Sequence, residues 1–245
     1  MIISGWNKRY SEILHEFKYS KKQDTESAII LDSILRKTIP IKKINEQIKG
    51  KTVFVIGAGP TLSLAIPILK NFKKTMKIVA DSAVKPLVEN GIKPDIVVTD
   101  LDGDKDSLVK VGKTNSIFVV HAHGDNIAKL YLVENFKNCI GTTQSKPFRN
   151  IHNFGGFTDG DRAVFLASHF NAKKIILFGM DFGNKIGRYS QTKPAERKTK
   201  LRKLRKSKSL LEWLSGKTRS QLFTTSNPIR GFEKISYREL DIIIT

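Results

Sequence analysis

Short runs of almost uninterrupted apolar residues, most of them followed by a stretch with helical spacing, constrain this fold more than any other feature. The runs are TVFVIG, KIVAD, DIVVTD, SIFVVHA, NCIG and KKIILFG. Strands that are apolar on both faces are typical of parallel sheets covered by helices on either side. The sequence therefore predicts an α/β fold whose core is an open, mostly parallel, Rossmann-like sheet with helices on both faces.

Three regions are predicted along the chain. Residues 1–48 have the helical spacing of apolar residues and form an N-terminal extension. Residues 49–184 hold the alternating strands and helices of an α/β catalytic core. After Asp181 this alternation ends, so residues 185–245 are predicted to be a basic helical segment and a tail that pack on the core.

Hydropathy and cysteine content restrict the class of protein. No apolar run approaches the roughly 20 residues that span a bilayer, and the N-terminal residues show no signal peptide, so no membrane partner is expected. Cys139 is the single cysteine, which rules out a disulfide within the chain and favours the reducing cytoplasm. Because no base motif surrounds it, Cys139 is interpreted as a small buried residue.

Positive charge is concentrated in one segment. The formal net charge is +20, and Lys185 to Arg219 contains thirteen Lys or Arg residues against two Glu, a net of +11. Such a segment can bind nucleic acid, hold the phosphates of a small substrate, close over ATP as a lid, or be only a solvated helix. Tyr189 and Trp213 are its only aromatic residues, which gives little support to base stacking.

Acidic residues follow several of the predicted strands. The carboxyl ends of parallel strands meet at one edge of a sheet, which is where ligands bind in open α/β folds. Asp100 and Asp102 are two positions apart, so both side chains point to one side if the chain is still extended. Mg²⁺ would relieve the repulsion between such carboxylates. The alternative is a loop turn and a helix cap, which is also the interpretation of Asp104 and Asp106. The predicted metal ligands are Asp81, Asp100, Asp102 and Asp125.

Two further motifs at strand ends suggest phosphate contacts. Gly57, Gly59 and Thr61 belong to GAGPTL, which allows an anion to approach the backbone at a helix N-terminus but is also consistent with a tight packing turn. His121 and His123 belong to HAHGDN and are predicted donors to phosphate oxygens. Zinc is less consistent with this pair, because no cysteine partner is present and the neighbouring ligands are hard oxygens. A structural role for one of the two histidines stays open.

Two glycine-containing loops are candidates for substrate binding. In NFGGFTDGDRAV, Gly155 and Gly156 allow close approach of a ligand, Arg162 could reach a phosphate, and Thr158 or Asp159 could cap a helix. A plain capping loop is the alternative. In GTTQ, amide and hydroxyl groups suit hydrogen bonding to a flat heterocycle, and the residues concerned are Thr142 and Gln144.

The segments ADSA, PDIVVTDLDGD, HAHGDN, GTTQ, NFGGFTDGDRA and LFGMDF, in this order, resemble the archaeal 6-hydroxymethyl-7,8-dihydropterin pyrophosphokinases of the MptE type. The resemblance covers about Gly57 to Phe182. That group is similar in turn to thiamine pyrophosphokinases, and more distantly to a domain of flagellin-modifying glycosyltransferases. Against the thiamine enzymes, Gly103 replaces a serine, Phe157 and Gly160 replace an arginine and a histidine, and the C-terminal β-sandwich has no counterpart.

The resemblance implies a thiamine-pyrophosphokinase-like core that transfers diphosphate from ATP to the hydroxymethyl group of a dihydropterin. AMP would be released, Mg²⁺ would be the cofactor, and the product would serve folate or tetrahydromethanopterin biosynthesis. Asp100, Asp102, Asp125 and Arg162 would be the catalytic residues, with Asp159 or Asp161 on the amino-pyrimidine edge of the pterin. Thiamine pyrophosphokinase and a nucleic-acid-binding protein are the alternatives, and a homodimer is left open.

Overall fold

The computed structural model describes residues 2–35 and 38–244, and within these ranges the chain forms one sheet with helices on both faces. The strands are β1 (Thr52–Ile56), β2 (Met76–Ala80), β3 (Ile96–Thr99), β4 (Ile117–Ala122), β5 (Cys139–Thr143), β6 (Ile151–His152), β7 (Lys174–Phe178), β8 (Gln221–Thr224) and β9 (Glu233–Lys234). The helices are α1 (Trp6–Phe17), α2 (Lys21–Ile34), α3 (Ile41–Ile48), α4 (Leu62–Leu69), α5 (Val84–Glu89), α6 (Lys105–Gly112), α7 (Asp159–His169), α8 (Arg197–Ser215) and α9 (Leu240–Ile244).

The order of the strands is β6-β5-β4-β3-β2-β1-β7-β8-β9, and every neighbouring pair is parallel. The predicted open, parallel α/β fold is therefore confirmed. Because all strands run in one direction, their carboxyl ends line a single edge of the sheet. The acidic and glycine-rich motifs lie along this edge.

Alternation along each strand divides the interior into two cores. In β1, Val53 and Val55 belong to one core, whereas Phe54 and Ile56 belong to the other. Helices α1, α3, α7 and α8 cover the first face, and α2, α4, α5, α6 and α9 cover the second. Burial of both faces explains why the strand sequences are apolar almost throughout.

Helix α7 brings distant residues to the end of the sheet. It follows the edge strand β6, crosses back over β3, β2 and β1, and leads into β7. Its first residue therefore lies at the edge where β2 and β3 end. This crossing places Asp159 beside Asp81 and Asp100, which precede it by about eighty and sixty positions.

The N-terminal helices are joined to the end of the sheet by one buried carboxylate. Asp24 on α2 accepts hydrogen bonds from the Tyr10 hydroxyl at 2.6 Å, the Gln144 side-chain amide at 3.0 Å and the Gly124 backbone N–H at 3.1 Å. Trp6 donates its indole N–H to the Gln144 carbonyl at 3.0 Å. The extension therefore packs directly on the loops that follow β4 and β5. Met1, Arg36 and Lys37 of the predicted helical extension lie outside the described residues.

Two expectations about secondary structure are wrong. The alternation of strands and helices does not end at Asp181, because β8 and β9 extend the same sheet; both are too short to give a clear strand pattern. The stretch NIAKLYLVENF, residues 126–136, which the sequence predicts to be helical, lies mostly in a segment of 3-10 turns, Gly124–Asn135, rather than in an α-helix. Its buried residues Leu130 and Val133, followed by Phe136, recur every three positions, which is the period of a 3-10 helix.

The membrane prediction can be compared only with the described residues. Among them, no helix combines the length and the apolar composition that a bilayer crossing requires.

Candidate active site

Three carboxylates converge at the carboxyl edge of the sheet. Asp81 follows β2, Asp100 follows β3, and Asp159 is the first residue of α7. Each offers an oxygen atom, and these oxygens all lie within 4.8 Å of one another. Such a set of hard oxygen ligands suits a divalent cation, and Mg²⁺ commonly combines one or two carboxylates with water and phosphate oxygens.

The contacts of Asp81 support a cation at this position. One carboxylate oxygen, Oδ2, accepts hydrogen bonds from the backbone N–H groups of Asp102 and Gly103, each at 2.9 Å. The other, Oδ1, is buried and has no hydrogen-bond partner within the described part of the chain. A Cβ atom at Gly103 would lie 2.1 Å from Oδ1, so only glycine leaves room beside this oxygen. The residues present therefore fit Mg²⁺.

Mutual repulsion and burial set the protonation of the three carboxylates. Burial, followed by the charge of Asp100, raises the pKa of Asp81 to about 8. The same two causes raise the pKa of Asp159 well above its usual value. Burial would also raise the pKa of Asp100, but the hydrogen bond and charge of His123, then Arg162, hold it well below the usual range. Asp100 is therefore the anion of the group, and a cation would release protons from the other two.

Asp102 and Asp125 do not join this group. Leu101 has a φ of 68°, so the chain leaves the extended conformation after Thr99 and the side chains of Asp100 and Asp102 do not point to one side. Asp102 is exposed and lies 2.6 Å from the Lys129 ammonium group. The Asp125 side chain is 65% exposed, and one of its oxygens lies 3.9 Å from His123 Nδ1. The expectation that Asp100 and Asp102 share a face is wrong.

One asparagine fixes the backbone around the two histidines. Asn126 is buried and donates its side-chain N–H groups to the carbonyls of Asp100 at 2.8 Å and His121 at 2.7 Å. Its side-chain oxygen accepts from the His123 N–H at 3.1 Å. His123 then lies with Nε2 3.6 Å from an oxygen of Asp100. The HAHGDN motif is thus tied to the end of β3, which orients His123 toward the carboxylates.

His121 is a neutral hydrogen-bond acceptor in this environment. Burial, followed by the charges of Arg162 and His123, lowers its pKa well below the usual value. Thr142 donates its hydroxyl to the Val120 carbonyl at 3.0 Å, so its oxygen accepts from His121 Nδ1 at 3.2 Å. The hydrogen-bond network therefore assigns the proton to Nδ1 and the lone pair to Nε2. A neutral His121 does not supply the positive charge expected for a phosphate contact.

Arg162 is the buried cation nearest the carboxylates. Its Nη1 lies 3.3 Å from an Asp159 oxygen, and its Nε has no hydrogen-bond partner among residues 2–35 and 38–244. Gly156 has a φ of 91°, and a Cβ there would lie 2.6 Å from Cα of Arg162. The second glycine of this loop is therefore needed for close packing against α7, because any side chain at position 156 would collide with Arg162.

The GAGPTL turn is held by the segment that follows β7. Gly57 and Gly59 donate their N–H groups to the carbonyls of Phe178 and Gly179, at 2.9 Å and 2.7 Å. Thr61 donates both its N–H and its hydroxyl to one oxygen of Asp181, at 3.0 Å and 2.8 Å. The donors proposed for phosphate already have protein acceptors. Close packing, the alternative left open by the sequence, accounts for this turn.

Asp161 has a capping role rather than the proposed contact with the pterin. Its two oxygens accept hydrogen bonds from the backbone N–H groups of Phe157 and Thr158, from the Thr158 hydroxyl and from the Ser207 hydroxyl, at 2.5–2.9 Å. The carboxylate is fully buried. Both oxygens are therefore occupied by protein donors that start α7 and join it to α8.

Replacing Asp161 by alanine should lower the free energy of unfolding by about 2–3 kcal/mol, because several buried donors lose their acceptor. Urea denaturation of the wild type and the variant measures this difference. Asp106→Ala is the control, because Asp106 lies in the first turn of α6 but is exposed. Equal stability of the two variants would contradict the capping role.

Comparison with known proteins gives the family. A family described as "6-hydroxymethylpterin diphosphokinase MptE-like" matches residues 30–187. Proteins named 6-hydroxymethyl-7,8-dihydropterin pyrophosphokinase are similar over most of their length: that of Methanocaldococcus jannaschii is 44% identical (89% of this chain, 97% of the relative) and that of Pyrococcus furiosus is 42% identical (90% and 97%). That of Methanothermobacter thermautotrophicus is 40% identical (87% and 95%). The chain belongs to the MptE-like family.

The MptE-like match confirms the resemblance found in the sequence and contains each of the three converging carboxylates. Among solved structures, the MAf glycosyltransferase from Magnetospirillum magneticum AMB-1 is similar, with a TM-score of 0.59 and 18% identity. The superposition covers 78% of this chain and 34% of that one. At this identity the likeness shows the fold alone.

Several residues of this MptE-like site were not identified from the sequence. Asp24, Asn126 and Asp181 each form several hydrogen bonds that position a predicted motif. Asn126 and Asp181 stand inside the quoted segments HAHGDN and LFGMDF, so their motifs were recognised but their roles were not. Asp24 lies in a helix pattern and had no signal, because its partners in the predicted motifs, Gly124 and Gln144, are 100 and 120 residues away.

Proposed function

We propose that this protein transfers the diphosphate group of ATP to the hydroxymethyl oxygen of 6-hydroxymethyl-7,8-dihydropterin and releases AMP. The observation that carries the proposal is the convergence of Asp81, Asp100 and Asp159 in a chain whose relatives, at 40–44% identity, bear that enzyme name. Carboxylates grouped in this way suit the Mg²⁺ that accompanies a polyphosphate. The product would serve pterin cofactor biosynthesis, of folate or of tetrahydromethanopterin.

The residues of the chain act by positioning and by charge. The pterin alcohol attacks the β-phosphorus and loses its proton to solvent, the bond between that phosphorus and the oxygen bridging to the α-phosphate breaks, and AMP leaves with that oxygen. Asp81, Asp100 and Asp159 would hold Mg²⁺, which when bound neutralises charge on the phosphates. Arg162 lies beside Asp159 and would contact a phosphate oxygen through its unpaired Nε. Reactions of this kind depend mainly on such alignment.

A second group of polar atoms supports pterin binding next to the carboxylates. A narrow cavity between the sheet and α7 is bordered by His121, Thr142, Gly155 and Arg162. His121 Nε2 is a buried acceptor without a hydrogen-bond partner within the described residues. The same holds for Gln144 Oε1, whose residue directly follows β5 at the same edge of the sheet. The amino-pyrimidine edge of a pterin carries adjacent N–H donors, which such acceptors would satisfy. His121, which the sequence placed with the phosphates, thus joins Gln144 in the proposed set of pterin contacts, and Asp161 is left out of that set.

The purified protein should release AMP from ATP and Mg²⁺ when 6-hydroxymethyl-7,8-dihydropterin is present, and form an equal amount of the pterin diphosphate. Chromatography of the nucleotides and mass spectrometry of the pterin product measure both. Thiamine in place of the pterin is the matched control and should give no AMP above background. A chelator should stop the reaction, because it removes the Mg²⁺ that the carboxylates would hold next to the phosphates.

Release of AMP with thiamine alone would move the protein to the related thiamine enzymes. Release with neither acceptor, together with salt-dependent binding of RNA or DNA, would favour the nucleic-acid alternative.

A further inference from the structure

One face of the basic helix α8 lies toward the carboxylates. Ser207 on α8 is fully buried and donates its hydroxyl to Asp161 in the first turn of α7, at 2.9 Å. Because an α-helix has 3.6 residues per turn, Lys203 and Lys200 lie one and two turns before Ser207 on the same face. This face therefore continues from the start of α7 along the edge where Asp159 stands.

The lysines of α8 fall into two kinds. Lys206 lies 3.4 Å from Glu12 and 3.2 Å from Glu16, so its charge is neutralised by α1. Lys200 and Lys203 are half-buried, and among the described carboxylates neither has one within ion-pair distance. The Lys203 ammonium group instead lies over two rings, 5.5 Å from the centre of Tyr19 and 6.0 Å from that of Phe157. Aromatic faces hold this group in place while leaving its positive charge uncompensated.

The two unpaired cations act on the carboxylates from a distance. The charge of Lys203, after those of His123 and Arg162, contributes to the low pKa of Asp100. The charge of Lys200 partly opposes the effect of burial on the pKa of Asp159. The Ser207 contact and the helical spacing place Lys200 and Lys203 on the side of α8 that faces the start of α7, where Asp159 stands, and neither lysine forms an ion pair among the described residues. Cations on one side, together with carboxylates able to hold a divalent cation on the other, suit a chain of phosphates.

We propose that Lys200 and Lys203 bind the phosphate groups of the triphosphate donor, so that α8 closes the site opposite Asp81, Asp100 and Asp159. The inference rests on the proposed function, and it assigns a role to the basic segment that the sequence left open. Two other cations of α8, Lys198 and Arg205, are exposed and lie seven residues apart, on the side of the helix opposite Lys200 and Lys203. This second pair is therefore directed away from the site.

The test compares two double variants that remove the same charge from the same helix. Lys200→Ala/Lys203→Ala should raise the KM for ATP and lower kcat/KM by about 100-fold or more, because two charge-assisted contacts with phosphate are lost. Lys198→Ala/Arg205→Ala should stay within about threefold of the wild type. Lys203→Met, which keeps the apolar stem on Tyr19, should show about a tenfold loss and the thermal midpoint of the wild type.

Binding of inorganic tripolyphosphate with Mg²⁺, measured by calorimetry, separates this inference from the proposed function. Weaker binding in Lys200→Ala/Lys203→Ala than in Lys198→Ala/Arg205→Ala supports the inference even if no acceptor releases AMP. Equal binding by the two double variants, or no binding by the wild type, overturns it, and AMP release by the wild type would then leave the proposed function standing. Loss of RNA binding in both variants, with tripolyphosphate binding unchanged, would assign α8 to nucleic acid.

Discussion

Replacing Asp100 by asparagine should lower kcat/KM for diphosphate transfer by about a thousandfold or more. Asp100 is one of the three carboxylates whose oxygens lie within 4.8 Å of one another, and it is the member whose pKa is held well below the usual range by His123 and Arg162. It therefore supplies the permanent negative charge that attracts a divalent cation. Loss of a metal that neutralises transferring phosphates removes several kcal/mol of transition-state stabilisation.

The matched control is Asp102→Asn, two residues further along the same motif. Asp102 is exposed and paired with Lys129 at 2.6 Å, so its loss should reduce kcat/KM less than about tenfold. Steady-state rates of AMP release for the two variants give the comparison, and Mn²⁺ binding followed by electron paramagnetic resonance reports the cation directly. If Asp102→Asn loses as much activity and Mn²⁺ affinity as Asp100→Asn, both residues hold the cation in the loop after β3. That result would agree with the prediction from the sequence and contradict the group of Asp81, Asp100 and Asp159.

The sequence predicted the sheet and part of the carboxylate group for the same physical reason. Strands covered on both faces are apolar almost throughout, so an acidic residue directly after such a run marks its end, and Asp81 and Asp100 are such residues. Parallel strands bring these ends to one edge without any further information. The position of the site and two of its three carboxylates therefore follow from local patterns.

The remaining features depend on tertiary structure. Asp159 joins the group because α7 crosses back over β1, β2 and β3, and no local pattern gives the path of that helix. Asp102 leaves the group because Leu101 adopts a left-handed conformation, which is uncommon for leucine and has no sequence signal. The lysines of α8 look alike in the sequence. Only the packing on α1 and α7 separates Lys206, which is paired, from Lys200 and Lys203.

Without divalent cations, the free energy of unfolding should fall as the pH rises from 7 to 9, and Asp81 should be a main cause. Burial and the charge of Asp100 raise the pKa of Asp81 to about 8, against about 3.9 in an unfolded chain. Between these values the folded protein binds a proton that the unfolded chain does not bind. The stabilisation is therefore complete only below about pH 3.9, falls from there as the pH rises, and is lost once the pH has passed through about 8, with a slope of up to about 1.4 kcal/mol per pH unit for each such group.

The range begins at pH 7 because buried histidines have the opposite effect at lower pH. Burial lowers the pKa of His121, His152 and His169, so their unfolded forms take up protons below about 6.5 and stability decreases there on acidification. Asp159, whose pKa is also raised, contributes with the same sign as Asp81. Above pH 7 the dependence expected from these two carboxylates is therefore not opposed by the protonation of these three histidines in the unfolded chain.

Mg²⁺ should reverse this dependence. A cation needs the deprotonated carboxylates, so it binds more tightly as the pH rises and stabilises the folded protein by mass action. Urea denaturation at pH 7, 8 and 9, in chelator and in Mg²⁺, measures both effects. Asp81→Asn should show a smaller pH slope in chelator and little stabilisation by Mg²⁺, whereas Asp102→Asn should behave as the wild type. An unchanged slope in Asp81→Asn would mean that Asp81 is already ionised in the folded protein. Binding of Mg²⁺ would then release no proton from Asp81.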